Sequence, residues 1–265
     1  MTTIAVLGAA GRMGAALIRC AARLPEVRLA AAIEQPGHPA IGQDAGLLAG
    51  AGRADLHVAA SLEAAACADV LLDFTFHSAV PAHAAFAARA GKPAVIGTTG
   101  LTPAEDQAVR EAARVVPIVA APNMSLGVNL LFALAARAAA ALGLDYDAEI
   151  VETHHRHKQD APSGTALRLA ERVAEARGQT LGAEACYGRQ GLTGPRPRGQ
   201  IGIHAVRAGD VIGDHTLSLS ADGERLELTH RATSRDAFAR GALRAACWLP
   251  GRPPGLYDMA DVLGL

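Results

Sequence analysis

Short apolar runs and helical spacings alternate through the first half of the chain. Residues 3–7 form an apolar run that ends at Gly8. Leu17, Ile18, Ala21 and Leu24 then recur at spacings of about three to four, the period of a helix face. Residues 27–33 read as a second buried strand closing at Glu34, with residues 70–74, 94–96 and 115–120 as further strands. Helical stretches separate them, residues 82–90 among these. Thr102, Pro103 and Glu105 give another helix an N-cap, a proline at its first position and a reciprocal acid, which together make a capping box. Continuously apolar strands alternating with helices predict a parallel sheet covered on both faces.

The second half changes character. Residues 128–142 carry a long helical pattern, residues 149–153 a strand and residues 165–176 another helix. Residues 201–206, 216–220 and 225–229 are strand-like and separated by turn residues such as Asp222 and Gly223, which predicts an antiparallel meander. Leu217 and Leu219 alternate with Ser218 and Ser220, and Leu226 and Leu228 with Glu227 and Thr229. One face of that sheet is therefore expected to be more polar or to pair with something else. Residues 188–199, rich in Gly, Pro and Arg, read as a mobile loop, and a helix over 238–248 stops at Pro250 and Gly251. The expected architecture is α/β followed by α+β.

Composition narrows the partners. The 265 residues suggest about two domains. With 25 Lys and Arg against 26 Asp and Glu, the chain lacks the basic face of a general nucleic-acid binder and the basic helix of a membrane-surface protein. Cys20, Cys67, Cys186 and Cys247 are scattered without a CxxC pair, so they read as buried thiols and not as a disulfide framework. No basic leader with an apolar core opens the chain, and Arg137 interrupts its alanine-rich run. The expectation is a cytoplasmic protein with no membrane partner.

Gly8, Gly11 and Gly14 lie between the first strand and the first helix. A dinucleotide fold needs glycines there: the turn is tight, the backbone approaches a pyrophosphate, and the helix start offers N–H groups. A glycine trio alone also fits a plain turn. Its context adds Glu34, an acid about 20 residues on at a strand end, where a ribose hydroxyl is held. Gln35 follows that acid where a cation would favour a 2′-phosphate, so NADH use, or use of both NADH and NADPH, is expected. Gly97, Thr98, Thr99 and Gly100, and Ala121, Pro122, Asn123, Met124 and Ser125, follow later strands and fit either ligand contacts or ordinary turns.

His154, His155, Arg156, His157 and Lys158 crowd basic and titratable groups together. A zinc site is disfavoured, because no acid or thiol stands at ligand spacing and Arg156 and Lys158 repel a cation. A solvated basic loop is a second reading. The favoured one is a site for a small anion with an acid catalyst. Ser163, Gly164 and Thr165 at a helix start form a carboxylate cradle, and a histidine titrating near neutrality delivers a proton.

These residues, together with Asp73-Phe74-Thr75, Gly127-Val128-Asn129 and Gly255-Leu256-Tyr257-Asp258-Met259, resemble the dihydrodipicolinate reductase family over essentially the whole chain. The resemblance implies a Rossmann-like parallel-sheet domain plus an α+β domain with a mixed or antiparallel sheet. The first would comprise residues 1–125 and 235–265, the second, for substrate and oligomerisation, residues 126–234. It implies NAD(P)H-dependent reduction of a cyclic unsaturated dicarboxylate in lysine and diaminopimelate biosynthesis. His154 falls at the proton donor's position and Lys158 at that of a second donor or anchor. His155, Gly164 and Thr165 fall on a substrate carboxylate. Gly8, Ala9, Ala10, Gly11, Arg12 and Met13 fall on the pyrophosphate, and Glu34 on the ribose. Gly97, Thr98, Thr99, Ala121, Pro122, Asn123 and Met124 fall on the nicotinamide. A homotetramer built through the second sheet is also implied.

The sequence departs from the family pattern at Gln35, where many members carry a cation, at Met124, where an aromatic is frequent, and at His77, where proline is usual. Two other readings stand beside this one: a different two-domain dehydrogenase of amino-acid metabolism, and a non-catalytic NAD(P) sensor.

Overall fold

In the computed structural model, which describes residues 1–265, the chain divides into two compact units, residues 1–126 with 235–265 and residues 127–234. The first unit holds a parallel sheet of β1 (Thr2–Leu7), β2 (Val27–Ile33), β3 (Val70–Asp73), β4 (Ala94–Ile96), β5 (Pro117–Ala120) and β11 (Gly255–Tyr257). Their order is β11-β5-β4-β3-β1-β2. Around it lie α1 (Arg12–Ala21), α2 (Ala45–Ala49), α3 (Val80–Ala90), α4 (Pro103–Ala113), α8 (Asp236–Trp248) and α9 (Met259–Leu263).

The strands are apolar throughout because both faces are covered. Ile4, Val6, Val70 and Leu72 pack with the buried faces of α1 and α8. Ala5, Leu7 and Leu71 pack on the other side with α3 and α4. The capping box of α4 forms as its sequence predicts: Thr102 Oγ accepts the Glu105 N–H at 3.3 Å and Glu105 accepts the Thr102 N–H at 2.7 Å. The chain's return through α8 is completed by β11, which pairs with β5 and has no sequence signal beyond its short length.

The second unit holds α5 (Leu126–Leu142, beginning one residue earlier), β6 (Asp147–His154), α6 (Gly164–Ala176), α7 (Leu181–Glu184), β7 (Ala185–Tyr187), β8 (Ile201–Arg207), β9 (Gly213–Ala221) and β10 (Glu224–Ala232). The sheet order is β10-β9-β6-β8-β7, with β9 antiparallel to β6 and β10 but β8 parallel to β6 and β7. The expected meander is therefore only half present. β8 and β9 follow each other in sequence, yet β6 lies between them. The sheet is mixed because its central strand comes from earlier in the chain.

Residues 126–145, α5 with the turn that follows it, are long and apolar enough to cross a bilayer by length and composition, but Val128, Leu131, Phe132, Ala135 and Ala139 form a stripe buried in the second unit's core. Residues 188–199, expected to be mobile, are tied to the sheet. Arg189 makes two hydrogen bonds to Glu149, at 2.8 and 3.1 Å, and Arg196 reaches Glu149 at 3.0 Å and Asp147 at 2.6 Å. The cysteines are free as expected, but only Cys20 is buried, and Cys67 is exposed.

Candidate active site

The register of the first sheet levels its carboxyl ends. Leu7 pairs with both Ile33 and Asp73, Asp73 with Ile96, and Ile96 with Ala120. The residues that leave the sheet next, Gly8, Glu34, Phe74, Gly97 and Ala121, therefore start one row of loops. The chain crosses from β2 back to β3 on the far side of β1, so this row includes the topological switch point where such sheets bind ligands.

A cavity of about 620 Å³ opens there, lined in part by Gly8, Gly11, Glu34, Gln35, Thr75 and His83. Gly8 has φ +76°, a conformation that a side chain disfavours. A Cβ on Gly14 would stand 2.2 Å from the Gly8 carbonyl, so helix α1 meets the turn closely only because that position is glycine. Gly11 caps α1 without a side-chain hydrogen bond, and its first turn carries no acid. The helix start thus presents its N–H groups and positive dipole without a competing anion. Glu34 accepts the Ala10 N–H at 3.1 Å and the Gln35 N–H at 2.9 Å, which holds its carboxylate against the turn. Ala9 is buried, whereas Arg12 is exposed and Met13 half-buried. A tight glycine turn, an uncapped helix start and an acid at the neighbouring strand end fit a dinucleotide.

The later loops are organised by a residue with no role in the sequence reading beyond its motif. Asp73 is buried and accepts from Thr75 N at 3.0 Å and Thr75 Oγ1 at 2.6 Å. It also contacts His83 Nδ1 at 2.8 Å and Thr98 Oγ1 at 3.3 Å. It thereby clamps the loops after β3 and β4 to each other. Phe74 lies over Gly97, where a Cβ would come within 2.2 Å of its ring. Thr99 is exposed beside buried Thr98. In the next loop Ala121 and Met124 are buried, Pro122 is exposed, and Asn123 Oδ1 accepts the Ser125 N–H at 2.9 Å. The Met124 side chain packs in the core, so an apolar contact from it to a nicotinamide, as the sequence suggests, is not presented at the surface. His77 pairs with Glu105 at 2.9 Å.

In the second unit, β6 alternates strictly. Ala148, Ile150, Glu152 and His154 share its buried face. The core stripe thus runs on into an acid and a histidine. Pairing sets Glu152 opposite His215 on β9 and His154 opposite Arg207 on β8. His154 Nδ1 lies 2.5 Å from Glu152 Oε2. Arg207 grips both Glu152 oxygens, at 2.8 and 3.0 Å, and the Ser163 N–H donates to Oε1 at 3.0 Å. The His215 ring meets His154 edge-on, centroids 5.1 Å apart. Burial, and then the neighbouring His154, push His215 down to about 4, so it is neutral near pH 7.

Lys158 pairs with Asp160 at 2.9 Å, and Arg207 also donates to the Asp160 carbonyl at 2.6 Å. Ser163 N-caps α6. Its hydroxyl accepts the Ala166 N–H at 3.1 Å and lies 3.1 Å from His215 Nε2. Ser163 is thus turned inward, with its hydroxyl on the first turn of α6 and beside His215. Gly164 is exposed, and Thr165 and His155 are half-buried, around the helix start. Glu152, Arg207 and His215 escaped the sequence reading. The signal for Glu152 was the period-2 continuation of the apolar β6 face. Arg207 and His215 had none without the strand pairing.

Residues 2–124 match the dihydrodipicolinate reductase N-terminus, and residues 127–263 match the dihydrodipicolinate reductase C-terminus. The chain belongs to the dihydrodipicolinate reductase family. It is 55% identical over 266 residues to the 4-hydroxy-tetrahydrodipicolinate reductase of Anaeromyxobacter dehalogenans (strain 2CP-1 / ATCC BAA-258), covering 100% of this chain and 98% of the relative. It is 54% identical to that of Pseudomonas fluorescens (strain SBW25), with 100% of both covered. Among solved structures, the dipicolinate-bound dihydrodipicolinate reductase from Paenisporosarcina sp. TG-14 matches with a TM-score of 0.77 at 26% identity, covering 98% of each chain. The family's activity is that of this chain: it is an oxidoreductase that uses NADH or NADPH to reduce 4-hydroxy-tetrahydrodipicolinate in lysine biosynthesis. The sensor and the other dehydrogenase are thereby set aside.

Proposed function

We propose that His154 protonates the substrate from Nε2 while residues at the start of α6 hold a substrate carboxylate. When bound, the nicotinamide cofactor supplies the hydride. Gly8, Ala9, Ala10, Gly11, Arg12 and Met13 would hold its pyrophosphate through the turn and the uncapped start of α1. Glu34 would hold its ribose, and the loops holding Gly97, Thr98, Thr99, Ala121, Pro122, Asn123 and Met124 would flank the nicotinamide, Met124 through its backbone. In the second unit Gly164 and Thr165 open the first turn of α6, where a helix start favours an anion. His155 and Lys158 add donors and positive charge for a dicarboxylate, like the dipicolinate named with the Paenisporosarcina enzyme. The observation that carries this reading is His154, buried, paired through Nδ1 and with Nε2 beside Gly213.

NADH is the preferred coenzyme in this proposal. The cavity beside Glu34 is lined by no Lys or Arg, and His83, its basic group, is paired with Asp73. A 2′-phosphate would meet a carboxylate there without a countercharge. The outer face of the second sheet, with Val151 and Val206 exposed, suits association into a homotetramer, and four free cysteines suit the cytoplasm. Absorbance at the nicotinamide band, with enzymatically generated substrate and NADH or NADPH in turn, tests the function. Turnover with a higher kcat/KM for NADH supports it, and turnover only with NADPH overturns the coenzyme assignment.

A further inference from the structure

We propose that Glu152, gripped by Arg207, is a positioning residue that fixes His154 with its Nδ1 proton on the carboxylate and its transferable proton on Nε2. The inference rests on the reading of His154 as the proton donor.

Glu152 is fully buried, so it meets neither solvent nor substrate directly. All its partners are donors. Arg207 approaches both oxygens, Ser163 N–H reaches Oε1, and His154 Nδ1 reaches Oε2. Burial alone would raise the Glu152 carboxyl, but the hydrogen bonds from Arg207, His154 and Ser163 outweigh it and hold the group below the usual carboxylate range. An ionised carboxylate only accepts, so the Nδ1 of His154 carries a hydrogen. The proton to be given therefore leaves from Nε2, and what remains is the neutral ring with Nδ1–H still on Glu152. No second rearrangement is required.

The surroundings fit this division. In front of Nε2 stands Gly213, where a Cβ would come within 3.0 Å of that nitrogen. Only a glycine leaves that side of the ring uncrowded. His215 faces the ring edge-on from β9 but is neutral near pH 7. Lys158 is paired with Asp160, Arg156 is exposed, and Arg207 lies behind the carboxylate. Glu152 is the carboxylate in contact with the ring, and Arg207 holds both of its oxygens in place.

The test is kcat and KM across pH for Glu152→Gln, Glu152→Asp, His154→Gln and the Glu152→Gln/His154→Gln double variant. The expected kcat loss for Glu152→Gln is about tenfold to a hundredfold, less than for a catalytic acid. KM stays within about twofold, and Glu152→Asp, which keeps the charge, recovers part of the rate. In the His154→Gln background, Glu152→Gln has no further effect. A full additional loss there, or no recovery of rate by Glu152→Asp, overturns the proposal. Wild-type kcat in His154→Gln overturns instead the reading of His154 itself. If Glu152→Gln does not fold, histidine ¹H–¹⁵N NMR of the wild-type protein, assigned with His154→Gln, decides. A neutral His154 protonated at Nδ1 is expected, and one protonated only at Nε2 overturns the proposal.

Discussion

In the proposed site Thr165 and Glu34 each meet a ligand through one side chain, so their effects belong to the residue. Thr165→Val removes one donor from the start of α6 and leaves the His154 pair untouched. KM for the dicarboxylate rises about tenfold with little change in kcat. Steady-state kinetics check this, and a loss confined to kcat would place Thr165 elsewhere in the mechanism. Glu34→Gln combined with Gln35→Arg replaces an acid and a neutral neighbour by a cation. The ratio of kcat/KM for NADPH over NADH rises by at least about tenfold. An unchanged ratio would mean that Glu34 does not face the ribose. At this scale the sequence was legible where chemistry is local. The histidine cluster and the Ser163-Gly164-Thr165 run sit within one stretch, and Glu34 ends a strand that the apolar pattern marks. Arg207 and His215 were illegible because they reach Glu152 and His154 only across strand pairs. That the Ser163 hydroxyl faces the interior is likewise a direction that spacing does not reveal.

Two element contacts set the shape of the nucleotide-binding loops. Helix α1 touches the first turn through Gly14, and helix α8 touches the loop after β5 through Gly241, where a Cβ would stand 1.7 Å from the Met124 carbonyl. Both neighbours are backbone, so neither yields by turning a side chain. Gly14→Ala and Gly241→Ala therefore displace those loops at an overpacking cost of about 1–3 kcal/mol. Each lowers Tm and weakens NADH binding, by about tenfold or more for Gly14→Ala. Fluorescence titration with NADH and thermal unfolding test both, and wild-type affinity in Gly14→Ala would remove the helix–turn contact from the binding account. The parallel sheet was readable because its strands are apolar on both faces. The second sheet was not, since pattern predicts strands but not which ones become neighbours. β6 entering between β8 and β9 is decided by packing across the core, with Ile150 opposite both Ile203 and Leu217.

Two buried or half-buried groups make the stability of the whole molecule depend on pH. Burial alone would raise Glu149, but hydrogen bonds from Arg189, His204 and Arg196 bring it from its ordinary 4.5 down to about 2. Its stabilisation is full above 4.5 and is lost as pH falls toward about 2, on the order of 3 kcal/mol. His215 falls from 6.5 to about 4, so the unfolded chain binds its proton first and stability is lost as pH drops between those values. Urea midpoints are therefore expected to fall in two overlapping steps below about pH 6.5. Glu149→Gln flattens the lower step and His215→Gln the upper one, and unchanged slopes in both variants would refute the assignment. The near-zero net charge conceals this arrangement: opposite charges are paired across the second sheet, and a local cationic site stands at residues 154–158. The central claim is that this site turns over a dicarboxylate by proton donation from His154. Its most direct test is the steady-state kcat of His154→Gln with NADH and enzymatically generated substrate, with NADH affinity measured alongside. A kcat lower by about 10²–10⁴, with KM and NADH affinity near wild type, is the predicted result, whereas wild-type kcat in that variant would contradict the claim.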